Sequence, residues 1–283
     1  MPRVLAVLLT CHNRRQTSLA CLQALFDQAL PADIAVRVYL VDDGSTDGTA
    51  DAVRASFPDV TVIPADGSLF WSGGMNLAWR TAAYADPDFY LWLNDDTNVR
   101  PGGLATLLKT WDEQVTAGQE CGIVVASCCD PVTGEHTYGG VRLRDKHPGR
   151  LMRVLPDPSR TVECDSFEGN CVLIPRSTFK VLGFARRFRH SISDTDYGLY
   201  AKRNQIPVII APGHLAECTL NPIFECPHSA WQNRALPRRV RWQKLIDRKG
   251  LPPGDWWKFL WAHARLRALL YWPVPYVRVW LGL

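Results

Sequence analysis

Apolar residues enter this chain as short unbroken runs that stop abruptly at polar clusters. Residues 4–9, 36–41, 60–64 and 89–93 are runs of this kind, and their length and flanks predict strands buried on both faces. Between them the period changes. Leu19, Leu22, Leu25 and Phe26 recur at helical spacing within 17–28, and 46–57 and 76–85 are also helix-like. Strands alternating with helices across short connections predict an α/β fold with a mainly parallel, doubly wound sheet flanked by helices. Further along, 104–115 predicts a helix and 122–126 a strand. The segments 137–144 and 160–164 suggest an antiparallel hairpin pair. Residues 169–184 predict a strand followed by a helix from Arg176. Residues 193–205 predict a helix capped by Ser193 or Asp194 and packed through Tyr197, Leu199 and Tyr200. A last apolar run covers 207–211, and no internal repeat or low-complexity segment appears.

The polar clusters matter because of where they fall. In open parallel sheets, ligands bind outside the carboxyl ends of the strands. "TCHNR" (10–14) follows the first run, "DDGST" (42–46) the second and "NDDT" (94–97) the fourth. A buried strand that ends in carboxylates is costly unless they are hydrogen-bonded or meet a cation. Gly44 permits a tight turn with close backbone approach to a ligand, and Ser45 or Thr46 can cap the next helix. Asp42 and Asp43 could accept hydrogen bonds from a base or a ribose; an Asx turn with no ligand is an equal reading. Asn94, Asp95 and Asp96 offer hard oxygen ligands of the kind Mg²⁺ or Mn²⁺ takes together with substrate phosphates. A second capped turn is the alternative.

Composition narrows the class. The chain has 283 residues, of which 47% are hydrophobic, enough for a sizeable core. Its nine cysteines include no CxxC pair, so neither a zinc ribbon nor a disulfide framework emerges, and reduced cytoplasmic thiols are expected. The opening "MPRVLAVLLTCHNRR" has too short an apolar run for a signal peptide and reads as a strand. No apolar run approaches the roughly 18 residues of a spanning helix. The net charge of +4 is unevenly spread: Trp231 onward holds 11 Lys and Arg against 2 Asp and Glu, and seven of the eleven tryptophans. The expected organisation is therefore 1–230 as a catalytic or binding domain and 231–283 as a basic, Trp-rich helical extension.

"TCHNR", "VDDGSTDGT", "WSGGMNLAW" and "LNDDT", in this order and at these spacings, resemble the family 2 glycosyltransferases of the GT-A fold. The resemblance covers about residues 4–211, and "SDTDYGLYAKR" (193–203) resembles the family's later acidic motif. It implies a nucleoside diphosphate sugar donor, a saccharide or lipid-linked acceptor, Mg²⁺ or Mn²⁺, and transfer with inversion. Such chains usually serve cell-surface polysaccharide or glycolipid assembly. Position by position, it implies that Thr10, Asn13 and Arg14 line the nucleotide edge. Asp43 would contact the base and Asp42 support its turn. Gly73, Gly74 and Asn76 would lie beside the nucleoside at a helix start. Asn94 and Asp95 would face the donor, and Asp96 would hold the metal. Asp194 would be the catalytic base, with Asp196 and Arg203 in support. The chain departs from the family pattern at Asn94, where D-x-D has aspartate, and at Ser193, where the acidic pair has glutamate. His214 is the nearest candidate for a third metal ligand, and His228 another.

The extension has two readings. Trp256, Trp257, Leu260 and Trp261 at helical spacing, with Lys258, Arg265 and Arg267 interleaved, suit an interfacial segment docking on anionic lipid. They equally suit a helical subdomain packed on the sheet and covering the acceptor side. The expected location is cytoplasmic, peripheral at the inner face of the membrane. No motif supports nucleic acid as a partner. A haloacid dehalogenase-type phosphatase fails at its nucleophile, because Val41 stands in the required position. A nucleotidyltransferase would need a glycine-rich loop after the first strand, and "TCHNRRQTS" has no glycine. A catalytically degenerate nucleotide-sugar-binding or assembly subunit of the same fold is the competing non-enzyme reading.

Overall fold

The structure is a computed structural model that describes residues 2–119, 122–190, 192–221 and 230–283. Its first part alternates: β1 (Arg3–Cys11), α1 (Arg15–Phe26), β2 (Ile34–Asp43), α2 (Thr49–Ser56), β3 (Thr61–Ala65), α3 (Phe70–Ala83) and β4 (Phe89–Leu93). Next come β5 (Asn98–Val99), α4 (Gly103–Thr116), β6 (Ile123–Cys129), β7 (Gly140–Leu143), β8 (Leu151–Arg153), β9 (Val162–Cys164) and β10 (Ser166–Phe167). β11 (Cys171–Pro175), α5 (Arg176–Leu182), α6 (Ser193–Arg203) and β12 (Val208–Glu217) complete the sheet region. The extension folds as α7 (Arg238–Ile246), α8 (Pro253–Ala264), α9 (Ala268–Tyr271) and α10 (Val274–Trp280). No helix among the described residues is long and apolar enough to cross a membrane.

The main sheet runs β3-β2-β1-β4-β11-β6-β12-β5, with β9 also beside β12. β3, β2, β1 and β4 are mutually parallel, and β6 is parallel to β12. β11 runs antiparallel between β4 and β6, so the sheet is mostly parallel but mixed. Pro64 is tolerated because β3 is an edge strand, where its missing N–H interrupts no ladder.

Strict alternation explains why the strands read as continuous apolar runs. Leu5, Val7 and Leu9 face one core, and Ala6 and Leu8 face the other. Phe89, Leu91 and Leu93 join the first core; Tyr90 and Trp92 join the second. Both faces are covered, so neither tolerates polar residues. The second core is aromatic. The ring of Trp79 on α3 lies 5.3 Å from Trp92 and 5.4 Å from Tyr197 on α6, which fixes the acidic-motif helix against the sheet. The described cysteines are buried and unpaired.

Four local expectations are corrected. Residues 137–144 and 160–164 do not pair as a hairpin. Asp145 and Lys146 both take positive φ, near 55°, so the chain reverses at once and β8 becomes the partner of β7. β9 instead borders β12, pairing Cys164 with Val208. α3 begins at Phe70, six residues before the expected start at Asn76, because its first amides are capped from outside, by Asp43. α2 is not capped by Ser45 or Thr46: Asp47 accepts the Thr49 N–H at 3.0 Å, while Ser45 and Thr46 bond to Asn13. Likewise α6 has Ile192, in the left-handed region, at its N-cap, and Ser193 is its first residue.

Candidate active site

Because β1, β2 and β4 are parallel, their carboxyl ends share one edge, and the loops there bind one another first. Asn13 Oδ1 accepts the Thr46 N–H at 2.7 Å, and the Asn13 N–H donates to Ser45 Oγ at 2.9 Å. His12 Nδ1 meets the Asp43 carbonyl at 2.6 Å. Asp42 does support its turn, accepting the Ser45 N–H at 3.0 Å. Gly44 takes φ +72°, and a Cβ there would stand 2.7 Å from the Gly67 nitrogen. The close approach that Gly44 permits is therefore to the chain's own 66–67 turn.

Asp43 is buried, and its two oxygens accept three amides: Gly67 at 2.9 Å, Leu69 at 3.2 Å and Phe70 at 2.7 Å. The start of a helix attracts an anion, and here the anion is Asp43 itself. A contact from Asp43 to a base would have to use the acceptor capacity that these bonds leave. Gly73 and Gly74 lie inside α3, and the Gly73 amide is already bonded to the Leu69 carbonyl. Gly74 serves packing: a Cβ there would fall 2.1 Å from Thr10 Oγ1. Asn76 is buried and donates to the Ser72 carbonyl at 2.9 Å.

Arg14 faces the acidic junction. Its Nη1 lies 3.1 Å from Asp95 Oδ1 and 2.7 Å from Asp96 Oδ2. Burial pushes the Asp95 carboxyl up to about 6 against the pull of Arg14, and Ser18 Oγ donates to its other oxygen at 3.2 Å. Asp96 is more open, with about a third of its side chain exposed. Asn94 Oδ1 accepts the Trp71 indole N–H at 2.7 Å. Trp71 in turn lies over Gly169, where a Cβ would be 2.8 Å from the indole and 3.2 Å from Asp194 Cβ. The Gly169 N–H donates to Asp194 Oδ2 at 2.9 Å, and the Thr195 N–H to Oδ1 at 2.7 Å. One continuous path thus runs from Arg14 through the acidic junction, Asn94 and Trp71 to Gly169 and Asp194.

The supporting residues point elsewhere. Asp196 is buried and bonded through both oxygens to Arg186, and His263 Nε2 of α8 reaches it at 2.8 Å. Arg203 donates to the Ala262 carbonyl of α8. His214 meets His136, with ring nitrogens 3.2 Å apart. Cys218, one residue past β12, reaches Asp96 at 3.8 Å. Among the described residues no three His, Cys, Asp or Glu side chains gather around a common point, and His228 lies outside those residues. Sequence reasoning missed Trp71, Gly169 and His263. The first two had a readable signal: a tryptophan opening "WSGG", and a glycine entering the strand that pairs with "FYLWL".

Asp96 offers one accessible carboxylate, part of whose charge Arg14 already answers. That donor set does not form a cage by itself, but it fits Mg²⁺ or Mn²⁺ completed by substrate phosphate oxygens.

A mostly parallel sheet with acidic strand ends and a facing carboxylate on a later helix defines the GT-A class of nucleotide-sugar enzymes. The model of glycosyl transferase family 2 matches residues 6–177. The chain belongs to that family and has its general glycosyltransferase activity. Among solved structures it is similar to the mannosyltransferase PcManGT from Pyrobaculum calidifontis, in complex with GDP-Man and Mn²⁺. That match has a TM-score of 0.56 and 20% identity, over 99% of this chain and 74% of that one. It is also similar to S. aureus TarS 1–349, with a TM-score of 0.56 and 14% identity, over 98% of this chain and 73% of that one. The same TarS fragment in complex with UDP-GlcNAc matches at 13% identity and TM-score 0.56, over 95% and 72%. At these identities the likeness shows the fold alone. No curated protein matches the chain.

Proposed function

We propose that this chain moves a sugar from a nucleoside diphosphate sugar to an acceptor hydroxyl with inversion, in cell-surface polysaccharide or glycolipid assembly. Asp194 is the base in this reading. The observation that carries it is the seat of its carboxylate: two backbone amides fix both oxygens, and Trp71 links that seat to the acidic junction on the donor edge. A base held in orientation can take the proton of the acceptor oxygen as that oxygen attacks the anomeric carbon opposite the leaving diphosphate. Attack from that face inverts the centre. Asn13 and Arg14 would border the nucleotide, and Asn94 and Asp95 would back the donor. Asp96 would hold Mg²⁺ or Mn²⁺, which when bound opposes the charge developing on the diphosphate. The structural relatives solved with GDP-Man and with UDP-GlcNAc support a nucleoside diphosphate sugar as the donor class.

Transfer by Asp194→Asn tests the assignment. The expected loss is ~10²–10⁴-fold in kcat, with stabilisation by the nucleoside diphosphate retained in a melting curve. Turnover near that of the parent would remove Asp194 from the role. Nucleotide binding without transfer or donor hydrolysis in the parent, with either cation, would favour a binding subunit instead.

A further inference from the structure

The two readings of the extension separate residue by residue. Trp231, Trp256, Phe259 and Leu260 are buried in a core shared with Phe188 and with Leu199 of α6, so this part is a packed subdomain. The chain after α8 behaves differently. Leu266 is 74% exposed, Leu270 70% and Trp280 63%. Val274, Val277 and Leu281 follow helical spacing along α10 and are also exposed, while Tyr276 and Val279 on its other side are buried. α10 therefore lacks the polar outer face of a soluble surface helix: apart from Arg278, its solvent side is apolar like its buried side.

After Asp255 the side-chain charges of the sequence have one sign. From Trp256 to Leu283 the sequence holds Lys258, Arg265, Arg267 and Arg278 and no Asp or Glu. Lys258 is engaged by the Arg187 carbonyl at 2.7 Å, and the three arginines are exposed. Arg278 also borders a cavity of about 440 Å³, together with Arg234, Arg241, Asn233 and Leu283. Apolar side chains standing in solvent among arginines, in a stretch of sequence that holds no Asp or Glu after Asp255, match a surface that is apolar beneath and anionic at its edge.

We infer that the α9–α10 face is a docking surface for an anionic lipid bilayer. Leu266, Leu270 and Trp280 enter the acyl boundary, and Arg265, Arg267 and Arg278 meet the phosphate headgroups. The inference does not rest on the assignment of Asp194 or of the donor.

Co-sedimentation of the full chain with phosphatidylcholine vesicles, with and without phosphatidylglycerol, tests it. Binding is expected only to vesicles with phosphatidylglycerol, weakened by added salt and accompanied by a blue shift of tryptophan emission. Replacing all three arginines by Gln should lower partitioning on the order of a hundredfold, since each is worth roughly a factor of five near such a surface. Leu266→Gln with Leu270→Gln and Trp280→Gln should abolish binding. These side chains are exposed, so an unchanged melting temperature would show that the fold is intact. Equal binding to both vesicle types, or to neither, would overturn the inference. So would a concentration-dependent doubling of mass without vesicles that the Gln variants remove, because the face would then belong to a second copy of this chain.

Discussion

Gly169→Ala is the smallest change that separates the architecture of the proposed site from its chemistry. The added Cβ would stand 2.8 Å from Trp71 Cζ2, 3.0 Å from Cη2 and 3.2 Å from Asp194 Cβ. The first contact is impossible without movement, and an indole is rigid. Trp71 must therefore tilt, and tilting opposes its 2.7 Å bond to Asn94. Overpacking of this kind costs about 1–3 kcal/mol. For a chain of this size that lowers Tm by roughly 2–10 °C. The third contact presses on Asp194, whose Oδ2 is bonded to the same residue's amide. A catalytic group misplaced by about 1 Å loses on the order of 10²-fold, so a smaller push should cost roughly 10- to 100-fold in kcat.

The assay is steady-state transfer alongside thermal melting, for Gly169→Ala, Trp71→Phe and the double variant. Phe lacks the part of the indole that the new methyl meets, so the double variant should be more stable than the sum of the singles by about 1–2 kcal/mol. Trp71→Phe alone loses the bond to Asn94 and should be weakened mainly in transfer. An unchanged kcat in Gly169→Ala would refute the view that this glycine seats the base. Strict additivity in stability would refute the steric account.

Two further variants probe separate parts of the edge. Asp43→Ala leaves three amides without their buried acceptor and should cost about 2–4 kcal/mol by denaturant titration; loss of nucleotide binding at unchanged stability would instead make Asp43 a base contact rather than a helix cap. His136 is held down to about 4 by burial and by its neighbours His214 and Arg153, and its Nε2 has no hydrogen-bond partner among the described residues. Its folded value lies below the ordinary 6.5, so the unfolded chain binds the proton more readily. Stability should therefore fall as pH drops from about 6.5 to 4. His136→Phe should flatten that limb of a Tm-against-pH curve, and an unchanged slope would exclude His136 as its source.

The strands were legible because burial on both faces leaves a signal in single residues: every position of "FYLWL" and "CVLIP" is apolar, and each is buried. The three polar strand ends were legible for the complementary reason, since an apolar strand has no use for carboxylates at its exit. What each carboxylate holds was not legible. Asp43 and Asp96 look alike in sequence, yet one is buried under three amides and the other is about a third exposed beside Arg14. That difference is set by the 66–70 turn and by β12, segments far away in the chain. The short strands between 137 and 167 failed for another reason. Such strands carry too few residues for a period, and the reversal after β7 depends on positive φ at Asp145 and Lys146, which neither residue type announces.

Asp196 and Arg203, read from the sequence as support for the base, are both bonded to α8 in the structure: His263 reaches the buried Asp196 carboxylate, and Arg203 donates to the Ala262 carbonyl one residue earlier. A buried carboxylate that loses one partner is strongly destabilising, so this joint is costly to break. Asp196 lies two residues from Asp194 on the first turn of α6. The same α8 exposes Trp257 and Trp261 on its outer side, with their rings stacked 5.6 Å apart, at the approach to the arginine-flanked α9–α10 face. One helix is therefore bonded inward to α6, which carries the proposed base, and turned outward toward the proposed lipid surface. On those two proposals together, an acceptor presented from a bilayer would meet Asp194 across α8, and the aromatic, basic extension and the acidic motif would serve one requirement.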